Sequence, residues 1–304
     1  MVEKYYNKQS FFSKIVNASF KFTNAKKIYS SEEKTKKLIE KLSKKKFNSK
    51  KMFEKNGFIR KESNIVYYCY NGDLNSLKSK VIVYIHGGSF IENIISFQLK
   101  FAMKIAKKSD STLIVPMYPL LPTGNYRKMY EAIYPLYNSI NSENINLLGD
   151  SAGGGFILSF AMYLREKNIN SVKNVIMMSP WLDVSMSNPD LQKSEKLDSM
   201  CAIEGNKYAG RLWANDIDTK NYLVSPIYGN FYKLPLLTII TGTRDILQPD
   251  CKLLSNKLNM LNINHNYIEY KNQGHDFGAY PTKEGKLVID DIVQIINGGE
   301  INDR

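Results

Sequence analysis

Gly149-Asp150-Ser151-Ala152-Gly153 sets a serine among small residues, directly after a β-rich apolar run at 145–148 and directly before a helical pattern over 156–167. A serine hydroxyl is barely ionised near neutral pH, so it serves as a nucleophile only beside a base. A sharp strand-to-helix turn lifts such a serine to the carboxyl edge of a sheet, and glycines are needed there because the two backbones approach closely. Gly153, Gly154 and Gly155 leave the helix start uncrowded. Alone, the five-residue pattern is also a plain glycine turn. A second motif, His86-Gly87-Gly88-Ser89-Phe90, follows the apolar run 81–85. Acyl transfer generates an oxyanion, and glycines let backbone N–H groups reach it unobstructed. Gly87 and Gly88, with the N–H of Ala152, are the expected donors.

The base follows from counting, because the chain has three histidines: His86, His265 and His275. His86 belongs to the glycine turn and is expected to hold it by hydrogen bonding. His265 precedes the last strand pattern and reads as an ordinary surface residue. His275, in Gln273-Gly274-His275-Asp276-Phe277, lies on a loop after that strand, at the carboxyl end of the sheet where a base is needed. Asp245, in the turn Thr241-Gly242-Thr243-Arg244-Asp245 after the strand 236–241, is placed to orient it. Two other acids compete. Asp250 reads as a helix N-cap, and Asp276 is too near its neighbour on an irregular loop to reach Nδ1.

These residues need a scaffold. Short β-rich runs at 81–85, 113–115, 145–148, 175–178, 236–241 and 267–270 alternate with helical patterns at 97–107, 126–139, 156–167, 251–261 and 286–296. That rhythm predicts an α/β fold with a mostly parallel, doubly wound sheet and a ligand site beyond the carboxyl ends of its strands. Ahead of it, 58–61 and 65–70 read as strands closed by Asn71-Gly72, a hairpin-type turn signal. Ser30 with Glu33 fits a capping box for a helix carrying Leu38, Ile39 and Leu42. Residues 185–232 interrupt the alternation as an insertion that packs over the site. The expected organisation is an N-terminal helical segment at 1–55, a catalytic domain at 56–184 and 233–304, and the insertion between.

Of the net charge of +13, +12 falls in residues 1–60. A basic segment on a nearly neutral body reads as a solvated helical face rather than a nucleic-acid or anionic-membrane contact. Cys69, Cys201 and Cys251 are odd in number, widely spaced and without a metal-ligand pattern. They read as reduced thiols of a cytoplasmic protein. No apolar run approaches the length of a signal peptide or membrane span, so no stable membrane insertion is expected.

Taken together, the motifs from His86 to Phe277 resemble the bacterial hormone-sensitive-lipase-like esterases of the α/β-hydrolase superfamily. The His-Gly-Gly turn, Gly149 to Gly154, Ser179-Pro180-Trp181, Val224-Ser225-Pro226 and the Gly242 to Asp245 turn carry the likeness. It implies the α/β-hydrolase fold with a helical cap, made of the N-terminal residues and the insertion. It also implies hydrolysis of small-molecule carboxylic esters of short to medium acyl chain, with no cofactor or metal. Apolar N-terminal side chains, including Phe11, Phe12, Leu38, Ile39 and Leu42, would then cover the acyl pocket. The sequence departs from the family in three places. Ser89 replaces a third loop glycine, Tyr118-Pro119-Leu120-Leu121-Pro122 lacks the family's Arg, and Gly155 replaces an Asn. An amidase or deacetylase with the same Ser151-His275-Asp245 set, and a non-catalytic ligand-binding protein of this fold, remain as alternatives. A homodimer is left open.

Overall fold

A computed structural model of the chain describes residues 2–45 and 47–299. In chain order the elements are β1 (Val2–Tyr6), α1 (Phe11–Phe20), α2 (Ala25–Ile28), α3 (Glu32–Ser43), α4 (Ser49–Glu54), β2 (Ile59–Glu62), β3 (Val66–Tyr70) and β4 (Lys80–Ile85). Then come α5 (Ser96–Ser109), β5 (Ser111–Pro116), α6 (Tyr126–Asn138), β6 (Ile145–Asp150), α7 (Ser151–Glu166) and β7 (Val172–Met178). The insertion carries α8 (Leu191–Leu197) and α9 (Ile203–Ala214), and β8 (Leu236–Gly242), α10 (Gln248–Met260), β9 (His265–Tyr270) and α11 (Lys283–Ile296) follow.

Among the described residues the nine strands form one sheet in the order β1-β9-β8-β7-β6-β4-β5-β3-β2. Only the β2–β3 and β3–β5 pairings are antiparallel. The alternation of strand side chains divides the core. Val81, Val83 and Ile85 of β4 pack on the face covered by α6 and α7, through Ile133, Phe156 and Phe160. Ile82 and Tyr84 point to the other face, against Leu99 and Ile105 of α5 and Val288 and Ile292 of α11. With both faces buried, the central strands must be apolar on both sides, as their sequences are. Strand order reverses about β4, since β5 lies on one side of it and β6 on the other. A reversal of this kind opens a crevice at the carboxyl ends of the two strands.

Four expectations change. Residues 1–55, read as helical, begin with a strand: β1 pairs in parallel with β9, Val2 opposite Asn266 through Tyr6 opposite Tyr270. The pairing is pinned by Lys4, whose Nζ lies 3.2 Å from Asp291 and is buried with it. Short strands of mixed polarity carry little periodic signal, and this one is fixed by a partner more than 260 residues away. Asn71-Gly72 does not close a hairpin, because β3 pairs with β5 and not with β4; the hairpin turns at 63–65, with Ser63 N–H donating to Ile65 O. The cap of α3 is Ser31, not Ser30, its hydroxyl accepting from Lys34 N. Finally, Ile39 is buried with Leu38 and Leu42 packed beside it, yet Phe11 and Phe12 lie exposed on the outer side of α1.

Candidate active site

Ser151 sits where β6 runs directly into α7, with φ +50°. A left-handed conformation at a non-glycine residue costs energy and is held only by its surroundings. Gly153 is one reason it can be held: a Cβ there would stand 2.7 Å from His86 O and closer still to Ile85 O. The end of β4 therefore rests directly on the start of α7. Ser151 is buried, and its hydroxyl lies 2.9 Å from His275 Nε2. His275 Nδ1 lies 3.0 Å from Asp245 Oδ1. The three side chains, from the ends of β6, β8 and β9, thus form one hydrogen-bonded line. Asp245 is buried and also accepts from Leu247 N–H at 2.9 Å.

Several neighbours were not legible in the sequence. Asp198, from the insertion, is buried and pins the Asp245 turn by accepting from Ile246 N–H at 2.8 Å. Burial, and then the charge of Asp245, raise its carboxyl above the ordinary range. Asp276 does not approach Nδ1, but its Oδ2 lies 3.4 Å from the Nε2 of His275 on the serine side. Burial raises Asp276 well above the ordinary range, with Asp150 adding to the rise. For His275 burial works downward, but the carboxyls of Asp276 and Asp245 outweigh it and hold the imidazole well above its usual range. The Cys201 thiol, pushed up to about 12 by burial, is no rival nucleophile at neutral pH.

The glycine turn requires one correction. The N–H of Gly87 is not free: it donates to Asp150 Oδ2 at 3.1 Å. Asp150 also accepts from Tyr84 OH and, at 2.7 Å, from Gln98 Nε2, so this carboxylate anchors the turn to the serine's own strand. The backbone N–H groups of Gly88, Ser89 and Ala152 have no acceptor among the described residues. Gly88 and Ser89 both have positive φ, +115° and +53°. Ser89, the departure from a glycine triplet, is thus the position that offers an unpaired amide where Gly87 does not. His86 behaves as expected, its Nδ1 2.7 Å from Gly87 O and its ring stacked on Tyr118 at 4.6 Å.

His265 does not. It is buried, with Nε2 2.9 Å from Ser255 Oγ and Nδ1 2.9 Å from Ile263 O, because β1 covers the edge that would otherwise expose β9. Asp250 lies inside the first turn of α10 rather than capping it, and accepts from Asn188 Nδ2 at 2.7 Å.

Ser151 and His275 open onto a cavity of about 350 Å³. Phe20 and Tyr29 from the N-terminal segment, Met200 from the insertion, and Phe97 and Tyr280 from the sheet's own connections wall it.

A family profile described as alpha/beta hydrolase fold matches residues 82–279. The chain is 24% identical over 224 residues to an esterase of Acinetobacter venetianus, covering 71% of this chain and 74% of that protein. It is 22% identical over 227 residues to steryl acetyl hydrolase 1 of Saccharomyces cerevisiae, covering 66% of this chain and 53% of that protein. Among solved structures it superposes on an esterase from the bacterial hormone-sensitive lipase family with a TM-score of 0.78 at 17% identity, covering 96% of this chain and 99% of that one. The matched stretch takes in the glycine turn, the serine elbow, Asp245 and His275 alike, and the chain belongs to the alpha/beta hydrolase fold family, among relatives that are esterases and acetyl hydrolases.

Proposed function

We propose that this protein hydrolyses carboxylic esters of short to medium acyl chain through a Ser151-His275-Asp245 triad and an acyl-enzyme. The observation that carries the reading is the buried line Asp245–His275–Ser151, at 3.0 and 2.9 Å, ending at a cavity beneath unpaired backbone amides. Ser151 Oγ attacks the ester carbonyl carbon while its proton passes to His275 Nε2. The amides of Gly88, Ser89 and Ala152 receive the oxyanion, where fixed dipoles in a dry site are worth most. The C–O bond then breaks, the alcohol leaves with the proton from Nε2, and water repeats the sequence on the acyl-enzyme. Asp245 keeps the Nδ1 proton in place and stabilises the imidazolium.

A cavity of about 350 Å³ is at the small end of the usual range of ligand pockets, roughly 300–1,000 Å³. That size favours short to medium acyl groups. Free thiols at Cys69, Cys201 and Cys251 favour a reducing, cytoplasmic setting. The test is a p-nitrophenyl ester series of increasing acyl length run on the parent, Ser151→Ala and His275→Ala. Short esters should turn over fastest, and each variant should lose several orders of magnitude in kcat while melting like the parent. A folded Ser151→Ala protein with the parent's turnover would sink the proposal.

A further inference from the structure

Helix α1 is inside out. At about 100° per residue, Ser13 and Asn17 fall on one side of it and Phe11, Phe12 and Ile15 on the other. A surface helix normally turns its apolar stripe to the core. Here the docked stripe is polar. Ser13 Oγ donates to Gln273 Oε1 at 2.8 Å, Asn17 Nδ2 donates to Asn272 O at 2.9 Å, and Ser10 Oγ donates to Glu284 at 2.8 Å. The opposite face leaves Phe11 78%, Phe12 52% and Ile15 49% exposed, and Phe22 just beyond the helix is 91% exposed. A contiguous apolar face held outward by polar docking needs a partner.

The surrounding charge indicates which partner. Residues 4–31 contain six lysines and no acid. Lys8, Lys14, Lys21 and Lys27 are exposed and form no ion pair among the described residues. Lys14 and Lys21 face a cavity of about 220 Å³ together with Arg244, against the single carboxyl of Asp198. A second copy of this chain would bring like charges together on the same face, which opposes association. Aromatic and aliphatic side chains flanked by uncompensated lysines match an anionic lipid surface, where the former enter the headgroup boundary and the latter meet anionic headgroups.

We propose that α1 is an interfacial anchor that seats this protein on an anionic bilayer. Among the described residues no helix is long and apolar enough to cross a membrane, so the anchor lies on the surface. Its position gives it a use. Phe20, the last residue of α1, packs against Tyr280 with ring centroids 5.0 Å apart, and both wall the Ser151 cavity, whose rim also carries the exposed Ile95 and Phe97. Docking through the outer face of α1 would hold the cavity next to the bilayer, so acyl esters held at the membrane are the substrate class. This last step rests on the esterase reading; the docking does not.

The experiment is co-sedimentation of the full chain with vesicles of equal parts phosphatidylcholine and phosphatidylglycerol, or of phosphatidylcholine alone. Each lysine near an anionic surface is worth roughly a fivefold gain in partition, so binding to the mixed vesicles should be at least about tenfold tighter and should weaken with salt. The combined variant Phe11→Ser, Phe12→Ser, Ile15→Ser should lose about tenfold or more of that binding yet keep the parent's melting temperature and its kcat/KM on soluble p-nitrophenyl acetate. Ser151→Ala should bind like the parent, which separates docking from catalysis. The proposal is overturned if the parent ignores anionic vesicles, or if the triple variant binds them as well as the parent. It is equally overturned if the parent forms a lipid-independent dimer that the variant cannot form, since the face then belongs to a second copy.

Discussion

Gly153→Ala tests whether the contact between β4 and α7 sets the geometry of the site. The added methyl would stand 2.6 Å from the carbonyl carbon of Ile85 and 2.7 Å from His86 O, where ordinary contact begins at 3.4 Å. The neighbours are backbone atoms, with Ile85 O nearer still, so no side chain can swing aside; the end of β4 must retreat by more than about 1 Å. That end leads into Gly88 and Ser89, the proposed oxyanion donors. A misplacement of about 1 Å can cost roughly 10²-fold, and loss of one oxyanion donor roughly 10²–10³-fold in kcat. Overpacking should also cost about 1–3 kcal/mol of stability. The assay is steady-state hydrolysis of p-nitrophenyl acetate with a thermal melt, expecting kcat down about 10²-fold and KM changed little. Gly274→Ala is the control: it adjoins His275 in sequence, but a Cβ there meets nothing within 4 Å. It should behave like the parent. If Gly153→Ala kept the parent's kcat, the close approach would have no part in positioning the donors and the assignment would fail.

Asp276→Asn removes the carboxyl facing His275 Nε2 and should lower the imidazole's pKa. Because the proposed base works only when neutral, the acid limb of the kcat/KM profile should move to lower pH, and an unmoved limb would show that Asp276 does not act through His275. Asp250 is raised by burial to about 6 from 3.8, so the folded state holds its proton more tightly than the unfolded chain does. The resulting penalty starts as pH rises above about 4, is complete above about 6, and amounts to roughly 2–3 kcal/mol. Asp250→Asn should therefore raise Tm more at pH 8 than at pH 4, and an equal gain at both would refute the linkage. Lys4→Met leaves the buried Asp291 without its cation and should cost about 3–5 kcal/mol in chemical denaturation; a loss below about 1 kcal/mol would mean that the two tyrosine hydroxyls on Asp291 suffice.

The parts of this fold that could be read from the sequence are those whose signals are local. The glycines around Ser151 announce a close backbone approach, and the β-rich runs from 81 to 270 announce strands buried on both faces. The three proposed site residues are picked out because each follows a recognisable strand. What escaped depends on distant partners. Nothing in Val2–Tyr6 indicates that β9 lies beside it, and without that strand His265 looks exposed. The amide of Gly87 looks like an oxyanion donor until the fold brings Asp150 against it. The outward turn of Phe11 and Phe12 contradicts the usual rule that a helix hides its apolar face, and only the polar docking of Ser13 and Asn17 reveals it.

The pairing of β1 with β9 also dictates an order of assembly. Residues 2–6 leave the ribosome well before residues 265–270, so β1 must wait for β9 before it can be zipped into the sheet. Closing so long a span is entropically slow. Helix α1 must wait as well, because the carbonyl of Asn272 that Asn17 grips is made later still. During synthesis the lysine-rich stretch with its unshielded phenylalanines therefore stays undocked. A nascent chain arrested before residue 265 should be clipped there by protease, and the same stretch should gain protection only when β9 emerges.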